Sequence, residues 1–564
     1  MRREVSIANK KVCSFPILFA LLALLIGTCA VVFPASAQAV PTSTGSITVS
    51  GTVARSYDAY QIFSANVVDG DSDAKIATDL AWASDAVRDA ALPVLHSAGM
   101  PNSQTTAQEA AEWLNADSHL TSALSAQLAR SLQSSGAVLS VAFNAGTAAE
   151  LSCGYWLIVA DDDAIAQGEA GTAPVMALVG GSAVTVKPKA ATPKVVKHVL
   201  EDSTAAWQKA ADATVADDLY WRLSATVPAG LTAYDTYTVQ FVDTMSAGLD
   251  PSKVAASMHV YVAAGADGDF DAVSTSKDGR VGTDPAKGWT DITAQCATKV
   301  AADGKTFTVR TGDLIAALGG ADAFTAGARV VAVYNAPLNG ACNHGIAKGN
   351  PNEVYLRYPR SPLADQSGDA GFTRTPSDDA CAYTWDLALT KRGSDGDKPL
   401  AGAVLSITDD RGRTLSADGT WDAEGKATVT TGEDGRVTVS GVDSGKLEVR
   451  ELKAPKGYTA FEGTRSVTVK AEGLDVDQVA AAKPKLTITA ESPLRADSAD
   501  GSTGSLEASL INTPTGTPPS ITTGGFMPST GDMAMYAAAA AAVAGAALIV
   551  VALLVKRGGG SHKE

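Results

Sequence analysis

The chain is predicted to be an all-β protein: tandem β-sandwich domains, with helical insertions in the first and one C-terminal transmembrane helix. Three observations lead there. Short Val- and Thr-rich runs recur along its 564 residues and are broken by Asp-Gly turns, whereas aromatic residues make up only 6%; many short strands between turn signals is the pattern of sandwiches. Both ends read as export signals, so the folded part is expected outside the cell. The length, less two processed ends, leaves room for about three domains.

The N-terminus carries Arg2, Arg3, Lys10 and Lys11, then an apolar stretch from Phe15 to Phe33 and Ala35-Ser36-Ala37. That is a secretory signal, residues 1–37, cleaved after Ala37 or Ala39. At the other end no charged residue stands between Met533 and Val555, and Lys556-Arg557 follow. About 20 apolar residues suffice to cross a bilayer, and the basic pair would hold that end in the cytoplasm. The net charge of −16 argues against nucleic acid as a partner. Of six cysteines, Cys13 and Cys29 leave with the signal. Cys153, Cys296, Cys342 and Cys381 remain, and Cys296 with Cys342 is the preferred disulfide because both fall in one proposed domain.

Between the ends, residues 38–189 are expected to form a first domain. It opens with strands at Ile47–Val53 and Tyr57–Phe63, then shows helical patterns at Ala77–Leu95 and Thr106–Ser134, the latter with Trp113, Leu114, Leu120, Leu124, Leu128 and Leu132 at helical spacing. Strands resume at Val138–Val141 and Gly154–Val159. Pro188 and Pro193 mark a linker. The second domain, 190–380, has strands at Val195–Leu200, Leu219–Thr226, Thr236–Val242, around Val260 and Val330, and at Val354–Tyr358. The third spans 381–513. A Thr/Pro/Gly-rich stalk with a turn motif covers 514–531, and the membrane span with its basic tail covers 532–564.

Met527-Pro528-Ser529-Thr530-Gly531 before the apolar run resembles the Leu-Pro-x-Thr-Gly sorting signal read by sortases of Gram-positive bacteria, with Met527 for Leu. Ala59-Tyr60-Gln61-Ile62-Phe63 and Gly154-Tyr155-Trp156-Leu157 resemble the N-terminal domain of sortase-assembled major pilins. Val184-Thr185-Val186-Lys187-Pro188-Lys189 resembles the pilin motif Val-x-Val-Tyr-Pro-Lys, with Lys187 where tyrosine is expected. Glu451-Leu452-Lys453-Ala454-Pro455-Lys456-Gly457-Tyr458 resembles the Glu-x-x-Ala-Pro-x-Gly-Tyr signature of CnaB, or SpaA-like, domains. The resemblance implies immunoglobulin-like sandwiches of CnaA and CnaB type. It also implies that a sortase cleaves after Thr530 and transfers its acyl group to Lys189 of a neighbouring subunit, Lys187 being the fallback, with attachment to peptidoglycan and membrane insertion only before sorting.

The residues offer a separate argument. Alternate residues of a strand share a face. Lys197 then lies with Val195 and Val199, Asp243 with Tyr237, Val239 and Phe241, and Asn352 with Val354, Leu356 and Tyr358. In the third domain Lys391 lies with Leu387 and Leu389, Glu451 with Leu447 and Val449, and Asn512 with Leu506, Ala508 and Leu510. Buried charges are costly unless paired, and lysine stems snorkelling to the rim are the plainer alternative. Burial, however, favours the neutral forms of both lysine and carboxyl. A neutral amine beside a carboxamide, with an acid to relay protons, can form an isopeptide bond with loss of ammonia, the arrangement the pilin resemblance also implies. The assignments are Lys197 to Asn352, or to Asn350 of the same parity, with Asp243, and Lys391 to Asn512 with Glu451. Lys75, read as lying in a polar loop, gives the first domain no counterpart.

The six histidines show no paired ligand spacing, and Gly-x-Ser-x-Gly and phosphate-loop motifs are missing. Asp69, Asp71 and Asp73, like Asp267, Asp269 and Asp271, begin as calcium loops do but lack Gly and Glu at positions six and twelve. The expectation is a non-enzymatic structural subunit of a covalently polymerised pilus on a Gram-positive cell surface, without metal or cofactor. An adhesin or minor pilin anchored once to the cell wall, binding a host surface ligand, is the alternative.

Overall fold

The computed structural model describes residues 43–516 apart from 52–54, 72–73, 117, 137, 162, 164, 189–191, 230 and 266–287. Among the described residues the chain is mostly strand, as expected from its Val/Thr runs, and its sheets pack around apolar cores in three successive regions. No helix there is long and apolar enough to cross a membrane; the expected span, like the signal segment, lies outside the described residues.

In the first region, Ser56–Asp69 is the central strand of a five-stranded sheet with Lys75–Trp82, Gly154–Ala160, Val175–Val179 and Val141–Asn144. Three helices, Asp85–Ser97, Ala107–Asn115 and Ser122–Ser134, cover one face, burying Leu95, Leu114, Leu128 and Leu132 against Ile62, Phe63 and Leu157. Two expectations are corrected here. Residues 77–82 are strand, not helix: they pair antiparallel with Phe63–Val67, and this pairing overrides the helix propensity of an Ala-rich stretch. The expected long second helix is two. Its first part ends at Asn115, the His119 ring stacks on Trp113 with centroids 4.3 Å apart, and the Thr121 hydroxyl accepts from Leu124 N to cap a new helix.

The middle region is a sandwich. One sheet runs Ala206–Gln208, Val195–Glu201, Tyr220–Thr226, Arg329–Asn335, His259–Ala263, Trp289–Asp291. The facing sheet includes Asp378–Tyr383, Asn350–Pro359, Gln240–Met245 and Thr306–Arg310. Between them lie Trp221, Leu223, Phe241, Phe307, Tyr334, Leu356 and Tyr358, all essentially inaccessible. The last region is a second sandwich. Trp385–Gly393 pairs with Arg436–Val442 on one side and, in parallel, with Ser505–Pro514 on the other; the facing sheet carries Val404–Thr408, Gly445–Lys453 and Thr464–Glu472.

Candidate functional site

Each sandwich encloses one lysine completely. Lys197 extends inward from Val195–Glu201, between Val195 and Val199 on the same face. Asp243 and Asn352 come from neighbouring strands of the opposite sheet, paired in the register Asp243 to Val354 and Met245 to Asn352. The lysine ammonium forms an ion pair with Asp243 Oδ2 and donates to the Tyr334 hydroxyl at 2.9 Å; the rings of Trp221 and Tyr334 lie 5.5 Å from it. Lys197, Asp243, Asn352 and Tyr334 are each 0% exposed. Tyr334, which parity arguments on charged residues overlooked, joins the set: its oxygen accepts from Asn352 Nδ2 at 2.9 Å and its proton goes to Asp243 Oδ2 at 3.0 Å.

The environment pushes both ionisable partners towards their neutral forms. Burial lowers the Lys197 pKa to about 8 although the Asp243 charge opposes it, and burial raises the Asp243 carboxyl although Lys197 opposes that. Burial also holds Tyr334 well above the usual phenol value, so it stays protonated. The main chain at Lys197 is fixed as well: its N–H donates to Asp378 Oδ2 at 2.6 Å and its carbonyl accepts from Lys209 Nζ at 2.8 Å.

The third region repeats the chemistry with different geometry. Lys391 lies on Trp385–Gly393 and Asn512 on the adjacent parallel strand Ser505–Pro514, where Lys391 stands opposite Leu510 and Gly393 opposite Asn512. Glu451 projects from Gly445–Lys453 in the facing sheet. Lys391 Nζ is 3.3 Å from Glu451 Oε1, and Asn512 Nδ2 donates to Glu451 Oε1 and Oε2 at 2.9 and 3.0 Å. Burial lowers the Lys391 pKa to about 8, with Glu451 opposing. Asp243 Oδ1, Asn352 Oδ1 and Asn512 Oδ1 are buried acceptors without a hydrogen-bond partner.

Asn350, the alternative to Asn352, is occupied elsewhere: its Oδ1 accepts from Asn343 N at 2.8 Å, and its Nδ2 donates to Asn343 O and Ala382 O at 2.9 and 3.2 Å. The expected Cys296–Cys342 disulfide is corrected, because both thiols are free. Cys296 Sγ donates to Ile292 O at 3.3 Å within its own turn, whereas Cys342 Sγ sits 3.5 Å from His344 Nε2. Burial raises both thiols, Cys296 to about 11. Lys75 is also corrected: it opens a strand and is buried, donating to the carbonyls of Gly180 and Ser182 at 2.5 and 2.7 Å and pairing with Asp69 at 3.1 Å. Among the described residues no group of acidic, His or Cys side chains is arranged to hold a metal ion. Lys187 is exposed, one residue past the strand Val184–Val186. Lys189 and Met527, Pro528, Ser529, Thr530 and Gly531 lie outside the described residues, as do Asp73 and Asp267–Asp271.

Residues 386–483 match the family model described as a SpaA prealbumin-like fold domain. The third region is similar to SpaA domains. The chain is also 30% identical over 143 residues to the trypsin-resistant surface T6 protein of Streptococcus pyogenes serotype M6; the match covers 24% of each sequence, so the chain spans about a quarter of that relative's length. Among solved structures, it resembles the T6 backbone pilin of serotype M6 S. pyogenes at 17% identity, covering 84% of this chain and 98% of that one, with a TM-score of 0.46. The major pilin SpaD of Corynebacterium diphtheriae is similar at 15% identity over 84% and 98% of the two chains, with a TM-score of 0.40.

Proposed function

We propose that this chain is a structural subunit of a covalently polymerised surface pilus, braced by Lys197–Asn352 and Lys391–Asn512 isopeptide bonds and joined by a sortase through Thr530 to Lys189 of the next subunit. One observation carries the reading: each of two sandwiches seals a lysine, a carboxylic acid and an asparagine together in an apolar interior. Ion pairs so deeply buried cost several kcal/mol of desolvation per ion. Passing the lysine proton to the acid removes both charges, and the free amine can then attack the carboxamide carbon. The Lys Nζ–C bond forms, the C–Nδ2 bond breaks, and ammonia departs carrying the proton that the amine gives up. A protonated carboxyl also supplies a donor for the amide oxygens, whose burial without a partner costs roughly 1–3 kcal/mol each.

The two bonds would carry load differently. Lys197 and Asn352 lie on facing sheets, so their bond would clamp the sandwich through its core. Lys391 and Asn512 lie on adjacent parallel strands, so theirs would rivet the strand that enters the domain to the strand that leaves it. A pull along the chain would then pass through the side-chain amides and leave residues 198–351 and 392–511 unloaded. Partners on this reading are the sortase, like subunits, peptidoglycan and host surface ligands; the chain needs no cofactor.

The polymer is tested by boiling cell-wall extracts in detergent. A high-mass ladder that disappears in Lys189→Ala is the expected result. A single band in the unmodified strain would indicate the singly anchored adhesin instead. A ladder that survives both Lys189→Ala and Lys187→Ala would remove the linking-lysine assignment.

A further inference from the structure

The two lysine sites differ in one respect that bears on proton transfer. In the third region Glu451 touches both nitrogens that must exchange a proton: Lys391 Nζ at 3.3 Å and Asn512 Nδ2 at 2.9 Å. In the middle region the carboxylate oxygen paired with Lys197 is Asp243 Oδ2, and Asn352 Nδ2 instead meets the Tyr334 hydroxyl. Asp243 Oδ1 has no hydrogen-bond partner. A side chain one methylene shorter than Glu451 occupies the acid position, and a phenol fills the interval between acid and amide.

Resting on the cross-linking reading above, we propose that Tyr334 is a catalytic residue of the middle-domain reaction, the proton relay between Asp243 and the departing nitrogen of Asn352. Its oxygen is within hydrogen-bond distance of every group that changes protonation: 2.9 Å from Lys197 Nζ, 2.9 Å from Asn352 Nδ2 and 3.0 Å from Asp243 Oδ2. As the neutral Lys197 amine adds to Asn352 Cγ, the phenol gives its proton to Nδ2 and takes one from the protonated Asp243. The carboxylate recovers a proton from the now cationic Nζ. The new Nζ–Cγ bond replaces Cγ–Nδ2, ammonia leaves, and Tyr334 and Asp243 each end with the protons they began with. The ring is held in the orientation this relay requires, packed edge-on against Phe307 with centroids 4.8 Å apart and fully enclosed. With its own ionisation strongly disfavoured by burial, the hydroxyl passes protons on without storing charge.

The test uses Tyr334→Phe in the full chain, following each bond from the time of synthesis by intact mass and by the cross-linked peptides in a digest. General acid–base groups contribute roughly 10²–10⁴-fold, so Lys197–Asn352 formation is expected to slow by about 10²-fold. The Lys391–Asn512 bond of the same molecules is expected to form at its usual rate. Fluorotyrosine at position 334, which keeps the shape but acidifies the phenol, should alter the rate at Lys197 and not at Lys391; it also guards against misfolding of the Phe variant. Unchanged rates at Lys197 in both variants overturn the relay. Absence of the Lys197–Asn352 bond from the unmodified chain overturns the cross-linking reading itself, a separate outcome.

Discussion

Replacing Lys391 by Met gives the most quantitative test of the inner bracing. Met fills the apolar slot and removes both the charge and the bond. The bond closes a loop of about 120 residues, between Lys391 and Asn512. Freeing such a loop in the unfolded state is worth about 5 kcal/mol in the chain-entropy model. For a domain of this size that corresponds to a fall of roughly 20 °C in Tm, at about 4 °C per kcal/mol. Glu451→Gln should lose the same loop term: the bond is lost, and the fully enclosed Lys391, without the carboxylate 3.3 Å away, stays buried as the neutral amine. Intact mass supplies the chemical control. The unmodified chain should fall short of its sequence mass by about 34 Da, one ammonia for each of two bonds, and each variant by about 17 Da. A variant whose mass deficit matches the unmodified chain, or a Lys391→Met protein that melts at the unmodified temperature, would refute the reasoning.

Two further outcomes follow from the site geometry. Asn352→Ala should restore one ammonia's mass, whereas Asn350→Ala should leave the mass deficit intact while loosening the loop at Asn343, since the Asn350 amide is spent on that loop and on Ala382. The pH dependence of bond formation at Lys197 should be a plateau with two falling limbs. The ion pair and the neutral pair hold the same number of protons, so between the two apparent pKa values the reactive fraction is constant. Below the raised value of Asp243 the pair gains a proton and the amine is lost as ammonium; above about 8 it loses one and no acid remains. Rates of ammonia release on the first folding of chain synthesised and kept denatured, measured from pH 4 to 10, check this, and a rate that keeps rising above pH 9 would contradict it.

Strand parity was enough to locate Lys197, Asp243, Asn352, Lys391, Glu451 and Asn512 on inward faces, because a period of two leaves a strand residue only two directions, and apolar neighbours reveal which is inside. Spacing also sufficed for the sandwich class and for the presence of helices in the first region. Three-dimensional packing decided the rest. Ala77–Trp82 became strand and Lys75 became buried because Ser56–Asp69 offered them an edge and the turn at Gly180–Ser182 offered the ammonium its carbonyls. Asn350 and Asn352 have the same parity, so only the Asn343 loop separates their roles. Tyr334 carries no formal charge and lies far from its partners along the chain; a buried tyrosine looks like core until the sheets close and its hydroxyl meets three polar groups. Whether a lysine faces its asparagine across the sandwich or beside it along one sheet depends on strand order, which local sequence does not encode, since order is set by which surfaces exclude water together.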